Sequence, residues 1–280
     1  MVCTFLVVTI CSRFRFIHPI HVVDLFGCSI DQANIFLEKL LKRNILKLDH
    51  LEGLGVGMNI GGHGYYLYSI SKHARNTFLS KCPYYENGIR VRKTYSAKTI
   101  HDLIALRIAL VIADSVLAVD IISDFSTGLI FRDGDKIPDV FLRTHEKKII
   151  WVEMEYSPKS GNELKYFCEN TINSILSKKM NETYIVFDTE TAAKRYRREL
   201  DNIIYENNIG PLPQIKIIQS KAVGYLDAFG GQVINIDQLK ASMFRKDHVP
   251  HALIERFNAR RRSDKNKAHQ LSSFYELRSY

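Results

Sequence analysis

The stretch "IPDVFLRTHEKKIIWVEMEYS" (residues 137–157) contains two apolar runs separated by a polar segment, "HEKK" at 145–148. Runs of this length that are rich in valine, isoleucine and aromatic residues are typical of β-strands, and the polar segment predicts a turn between them. Alternate side chains of a strand share one face, so Trp151, Glu153 and Glu155 point the same way. Two neighbouring carboxylates on one face repel each other unless something compensates their charge.

Asp139 provides a third carboxylate on the preceding strand, directly after Pro138. If the two strands pair as a hairpin, Asp139 converges with Glu153 and Glu155 near one end. Such a cluster suits Mg²⁺ or Mn²⁺, which can activate water for attack on a phosphodiester. The alternative is an edge strand with a solvated polar face, on which Glu155 pairs with Lys159.

The surrounding pattern predicts an α/β fold with a mixed sheet (α+β overall). Residues 97–119 are apolar around most of a helical circumference, which indicates a core helix that carries His101 and Asp102 in its first turn. Beyond the hairpin, helical and strand patterns alternate over residues 160–220. His101 and Asp102 are either ordinary polar residues of a first helical turn or candidates for a functional site. Further acidic candidates are Asp114, Asp120 and Asp124.

The N-terminal part predicts three helices followed by two strands. Residues 5–16 and 18–26 form the first two, and Ser29 with Gln32 makes a capping box that begins the third. Two strands with a glycine-rich turn follow. This order is typical of a winged helix-turn-helix, whose third helix enters the major groove of DNA. The polar face of the third helix offers Gln32, Lys39, Lys42 and Arg43.

Charge is distributed unevenly along this chain of net charge +9. Both ends are basic and the centre is slightly acidic, which favours a protein that binds a polyanion through its ends. A basic protein with ordinary solvated charge is the alternative. Five scattered cysteines without a CxxC pair fit reduced thiols, and no apolar run reaches membrane-spanning length. Six arginine and lysine residues outside the helices add to the predicted DNA-binding set: Arg90, Arg92, Lys93, Arg260, Arg261 and Arg262.

The order of Pro-Asp, an apolar strand ending in Glu-x-Glu, and a helix resembles the PD-(D/E)XK nuclease superfamily. The resemblance implies that Asp139 and Glu153 hold the metal. The last motif position is usually lysine in that superfamily, whereas this chain has Glu155 there. The general base is therefore left open between Glu155 and Lys159.

A closer similarity is to the MobC-type (MOB-C class) mobilisation relaxases and the related replication-relaxation family. It is carried by "IHDLIALRIAL" (100–110), "IPDVFL" (137–142) and "WVEMEYSPKSGNELKYF" (151–167), within a span of about residues 10–220. The last of these segments also contains Lys165, a further DNA-binding candidate. The resemblance implies a winged helix followed by a PD-(D/E)XK-like nuclease domain.

The activity that this resemblance implies is metal-dependent nicking of one DNA strand at the transfer origin of a plasmid or mobile element. The expected catalytic set is His101, Asp139, Glu153, Glu155 and Lys159, and the expected metal set is Asp102, Asp139, Glu153 and Glu155. The partners would be the origin duplex, the nicked strand and accessory mobilisation or coupling proteins, in the bacterial cytoplasm and without membrane insertion. Two alternatives are a non-catalytic winged-helix DNA-binding protein, either a relaxosome accessory factor or a transcriptional regulator, and a restriction-type endonuclease.

These expectations divide the chain into four parts. The winged helix is predicted over residues 1–82, a linker over 83–96 and the nuclease domain over 97–250. A basic C-terminal tail is predicted over residues 251–280.

Overall fold

The computed structural model describes residues 4–49, 67–74, 97–123, 137–155, 159–187 and 189–219. Its N-terminal part begins with three helices, followed by two strands that pair in antiparallel fashion. These elements are α1 (Thr4–Phe14), α2 (Pro19–Phe26), α3 (Ile30–Lys42), β1 (Leu46–Asp49) and β2 (Leu67–Ile70).

Local sequence signals account for the helix ends in this part. Gly27 ends α2 with a φ of 62°, a left-handed conformation that glycine adopts without steric cost. The predicted capping box that begins α3 is confirmed, since Ser29 accepts from the backbone N–H of Gln32 and the Gln32 side chain accepts from the N–H of Ser29. The glycine-rich turn between β1 and β2 lies outside the described residues.

The second part has the predicted mixed α/β character. Its elements are α4 (Ala97–Ser115), β3 (Ala118–Ser123), β4 (Val140–Thr144), β5 (Ile149–Glu155), α5 (Gly161–Leu176), β6 (Glu182–Phe187), α6 (Glu190–Glu206) and β7 (Ile215–Gln219). The five strands form one sheet in the order β3-β4-β5-β6-β7. Strands β3, β4 and β5 run antiparallel, and strands β5, β6 and β7 run parallel.

The core helix is shorter than predicted. The helical pattern was expected to run to residue 119, but α4 ends at Ser115, Leu117 takes a φ of 50°, and β3 begins at Ala118. Strand β3 is buried on both faces except at Ile122, so its sequence "AVDIIS" lacks the alternation of a half-buried strand. An apolar run of this kind does not differ from a buried helix by periodicity alone.

Helices cover both faces of the sheet. On one face, α1, α2, α3 and α4 share a single buried cluster with β1 to β5, which includes Leu6, Leu106 and Met154. On the other face, α5 and α6 pack on β6 through a second cluster, which includes Phe167 and Tyr196. Strand β5 therefore lies at the centre of the sheet, between two layers of helices.

The segments assigned to the predicted winged helix and nuclease domain are packed against each other. Two buried ion pairs join them, from Arg107 of α4 to Asp24 of α2 and from Arg13 of α1 to Asp120 of β3. The shared core and these ion pairs hold the N-terminal helices directly on the sheet. The predicted linker (83–96) and tail (251–280), with their DNA-binding arginine and lysine residues, lie outside the described residues.

Candidate active site at the end of strand β5

The two glutamates of β5 are buried. Glu153 and Glu155 are each 5 % exposed, and β5 has a neighbouring strand on either side. The alternative of a solvated face on an edge strand is therefore wrong. Burial of two carboxylates requires compensating partners, because an ionised group loses its hydration inside a protein.

Asp139 and His101 bind the backbone of Met154, between the two glutamates. The N–H of Thr144, the last residue of β4, donates to the carbonyl of Lys148. Backbone groups of alternate residues face the same neighbouring strand, so the even-numbered residues of β5 direct their N–H and carbonyl groups towards β4. Strand β4 begins only at Val140, which pairs with Val152. Beyond Val152, the hydrogen-bond partners of the β5 backbone on this side are side chains and no longer the backbone of β4.

The Met154 N–H donates to Asp139 Oδ2 at 2.8 Å, and His101 Nε2 lies 2.9 Å from the Met154 carbonyl oxygen. The paired register of β4 and β5 ends at Val140 and Val152, one residue short of Asp139 and Glu153. Asp139 therefore has a structural role at the end of the hairpin, on the backbone of the residue that follows Glu153.

His101 is held among acidic groups. Its Nε2 lies 3.4 Å from Asp139 Oδ2, and its Nδ1 lies 3.7 Å from Asp102 Oδ1. Burial lowers the pKa of His101, but the hydrogen bond to Asp102, the charge of Asp139 and the Met154 carbonyl outweigh it and raise the pKa to about 9. His101 is accordingly a cation at neutral pH, with a carboxylate within ion-pair distance on either side.

This raised pKa predicts a pH-dependent stability. A histidine whose pKa is about 9 in the folded state and about 6.5 in the unfolded state stabilises the fold fully below pH 6.5 and no longer above pH 9. We expect the free energy of unfolding of metal-free protein to fall by on the order of 3 kcal/mol at most over this interval. Urea titrations of wild type and His101→Asn measure the difference.

The control for this prediction is His145→Asn, since His145 is exposed in the β4–β5 turn. Its pH profile should follow that of the wild type. Parallel profiles for wild type and His101→Asn would show that His101 is not stabilised as a cation.

Glu155 belongs to a separate cluster on the side of the sheet that α5 and α6 cover. Lys159 Nζ donates to Glu155 Oε1 at 2.5 Å, and the Tyr196 hydroxyl donates to Glu155 Oε2 at 2.8 Å. The backbone N–H of Lys159 donates in turn to the Tyr196 hydroxyl at 2.8 Å. Glu155 therefore has a cation on one oxygen and a neutral donor on the other.

Sequence reasoning missed Tyr196. It stands in "KRYRR" (194–198), where the surrounding charged side chains are exposed while Tyr196 is fully buried. The available signal was the helical spacing of Tyr196 with Ala192, Leu200 and Ile203, which predicts a buried face. That spacing indicates burial, but it does not indicate a hydrogen bond to Glu155.

The predicted metal ligands are not gathered into one group. Among the described residues, no set of three or more histidine, cysteine, aspartate and glutamate side chains is placed to hold a metal ion. Both oxygens of Glu155 already accept hydrogen bonds, so Glu155 fits a ligand role poorly. Asp139 and Glu153, each one residue beyond the paired ends of β4 and β5, are the candidates for Mg²⁺, which often uses one or two carboxylates together with substrate phosphates. The metal remains a prediction.

Asp120, one of the further acidic candidates, has a structural role. Its two oxygens bind Arg13 at 2.6 Å and Arg143 at 2.7 Å, and it is 2 % exposed. An aspartate neutralised by two guanidinium groups is unsuited to a metal. The side chains of Asp114 and Asp124 lie outside the described part of the chain.

The predicted DNA-binding residues within the described ranges are exposed. On α3 and at its C-terminal end these are Gln32, Lys39, Lys42 and Arg43. Lys165 is exposed on α5, next to Tyr166, which is 65 % exposed. Exposed cations of this kind are available to phosphate groups.

Comparison with known proteins adds no relative. No protein-family model matches the chain, and searches of curated proteins and of solved structures find no significant match. Within the described ranges, no helix combines the length and the apolar character that crossing a membrane would require.

Proposed function

We propose that this protein is a metal-dependent DNA-nicking enzyme whose N-terminal helices recognise the DNA site. The observation that carries the proposal is that Asp139 and His101 bind the backbone of Met154, between the buried Glu153 and Glu155, at the end of the central strand. His101 beside Asp139 and Lys159 beside Glu155 provide two cations near these carboxylates. Carboxylates and cations at one end of a sheet suit the hydrolysis of a phosphodiester.

The order of elements supports this proposal. The succession α4-β3-β4-β5-α5-β6, with an antiparallel hairpin followed by a parallel strand, fits a PD-(D/E)XK-like nuclease domain. Three helices and an antiparallel strand pair at the N-terminus fit a winged helix-turn-helix. In that arrangement α3 carries the exposed residues that would read DNA.

Each side chain of the site has a proposed task. Asp139 and Glu153 would hold Mg²⁺ or Mn²⁺, which when bound would polarise the phosphate and lower the pKa of a water ligand. His101 holds Asp139 in position through its contact with that carboxylate. Lys159 has an amine that is bound to Glu155 and partly open to solvent, so it can contact a phosphate oxygen.

The proposed setting is the transfer origin of a bacterial plasmid or mobile element, as the resemblance to mobilisation relaxases implies. In that setting the enzyme would act in the cytoplasm, bind the nicked strand and work with accessory mobilisation or coupling proteins. Lys165 on α5 is exposed and would contribute a phosphate contact.

The test is an assay on supercoiled plasmid DNA that carries a transfer origin, with Mg²⁺ or Mn²⁺. We expect open-circular product with either metal and none with a chelator. Linear product would favour the restriction-type alternative. Absence of product with every metal would contradict the proposed activity.

A second candidate is a non-catalytic DNA-binding protein. The observation that favours it is the structural role of Asp139 and His101, which satisfy the backbone of Met154 without any ligand. This candidate predicts DNA binding that a chelator does not change, together with no cleavage. The same plasmid assay, run beside a binding titration with and without chelator, separates the two candidates.

A further inference from the structure

Tyr196 is the buried centre of the Glu155 cluster. Its ring packs edge-on against Phe167 at 5.4 Å and Phe187 at 4.6 Å between ring centroids. Burial, with the adjacent Glu155 carboxylate, raises the pKa of Tyr196, so its hydroxyl keeps the proton that it donates.

The Tyr196 hydroxyl joins the two ends of a short connection. Glu155 is the last residue of β5, and Lys159 comes two residues before α5 begins. One hydroxyl binds both, as a donor to the Glu155 carboxylate and as an acceptor from the Lys159 N–H. Residues 156–158 themselves lie outside the described residues.

These contacts also hold the Lys159 side chain. Its amine is bound to Glu155 and lies 4.7 Å from the centroid of the Phe167 ring. A lysine side chain has several rotatable bonds, so its amine stays in one place only when the backbone and the charge partner are both held. Tyr196 binds both the backbone of Lys159 and its charge partner.

We propose that Tyr196 is a positioning residue that sets where the Lys159 amine lies relative to Asp139 and Glu153. This inference rests on the proposed function, in which Lys159 contacts the DNA phosphate. Tyr196 itself is fully buried and does not touch the substrate.

The test is Tyr196→Phe, which keeps the ring between Phe167 and Phe187 and removes only the hydroxyl. We expect acetylation of Lys159, followed by mass spectrometry on the folded protein, to become about fivefold faster, as loss of one net hydrogen bond implies. Acetylation of Lys165 and Lys194 should not change. Glu155→Gln should release Lys159 in the same way.

A second readout is the kinetics of nicking. We expect Tyr196→Phe to lower kcat about tenfold with KM unchanged, because binding of DNA elsewhere is preserved. Tyr205→Phe is the matched control, since Tyr205 lies on the same helix and is 84 % exposed. It should leave the acetylation rates and kcat at wild-type values.

The outcomes separate this inference from the proposed function. Unchanged acetylation of Lys159, or an equal rise at Lys159, Lys165 and Lys194, would overturn the positioning role. A selective rise at Lys159 in Tyr196→Phe, together with a wild-type protein that does not nick DNA, would support the positioning and overturn the nuclease. Active enzyme with an unchanged kcat in Tyr196→Phe would overturn the inference alone.

Discussion

Asp139→Asn should lower the rate of DNA nicking at least about a hundredfold, the loss expected when a metal-binding carboxylate becomes neutral. The substitution is informative because an asparagine oxygen can still accept the hydrogen bond from the Met154 N–H. The end of the hairpin should therefore remain folded. Glu153→Gln, which removes the charge of the buried residue before Met154, should have an effect of similar size.

The measurement is the initial rate of open-circular product at saturating Mg²⁺ or Mn²⁺, with circular dichroism as the check on folding. Glu146→Gln is the matched control, because Glu146 lies in the exposed turn of the same hairpin and pairs only with Lys148 in the described part of the chain. Its rate should equal that of the wild type. Full nicking by Asp139→Asn and Glu153→Gln would exclude both residues from catalysis.

Asp24→Ala should lower the free energy of unfolding by about 3–5 kcal/mol, the range for a buried ion pair that loses one partner. Arg107 Nε and Nη2 bind the two Asp24 oxygens at 2.7 Å and 3.2 Å, and both side chains are at least nine-tenths buried. Without Asp24, the Arg107 guanidinium stays buried between α2 and α4 with its charge uncompensated. Urea denaturation followed by circular dichroism measures the loss.

The comparison for this prediction is Lys194→Ala, which removes an exposed ion pair with Glu190 on α6. An exposed pair contributes little, so we expect a change below about 1 kcal/mol. If Asp24→Ala cost no more than Lys194→Ala, the ion pair would not stabilise the contact between the N-terminal helices and the sheet.

Local signals in the sequence determined most of the secondary structure. The apolar run at residues 149–155 predicted β5, and the polar turn after β4 predicted the antiparallel hairpin, both of which the structure has. The capping box of α3 was predicted from two residues three positions apart. These features depend on neighbours in the chain, so their physical cause is visible in the sequence. Strand β3 was missed because it begins only three residues after α4 ends, and an apolar run that continues a helical pattern does not differ from a buried helix by periodicity alone.

The sequence also predicted that Asp139 would converge with the glutamates at the end of the hairpin; in the structure Asp139 binds the backbone of Met154 between them. It offered Glu155 and Lys159 as an ion pair on a solvated face; the pair exists, but Glu155 is buried. What this pattern could not determine was the environment of Glu155, because burial depends on which strand and helices cover β5.

Only the tertiary structure decided which contacts the site residues make. Tyr196 reaches Glu155 across 41 positions, and Arg107 reaches Asp24 across 83, because the parallel crossover and the packing of α4 bring distant segments together. His101 meets the backbone of Met154 for the same reason, and its raised pKa follows from that meeting. The sequence by itself determined every strand of the sheet except β3, the capping box of α3 and the positions of the carboxylates in the chain. The fold determined their partners, since charges and hydrogen bonds act between atoms that are close in space, however far apart they are in the chain.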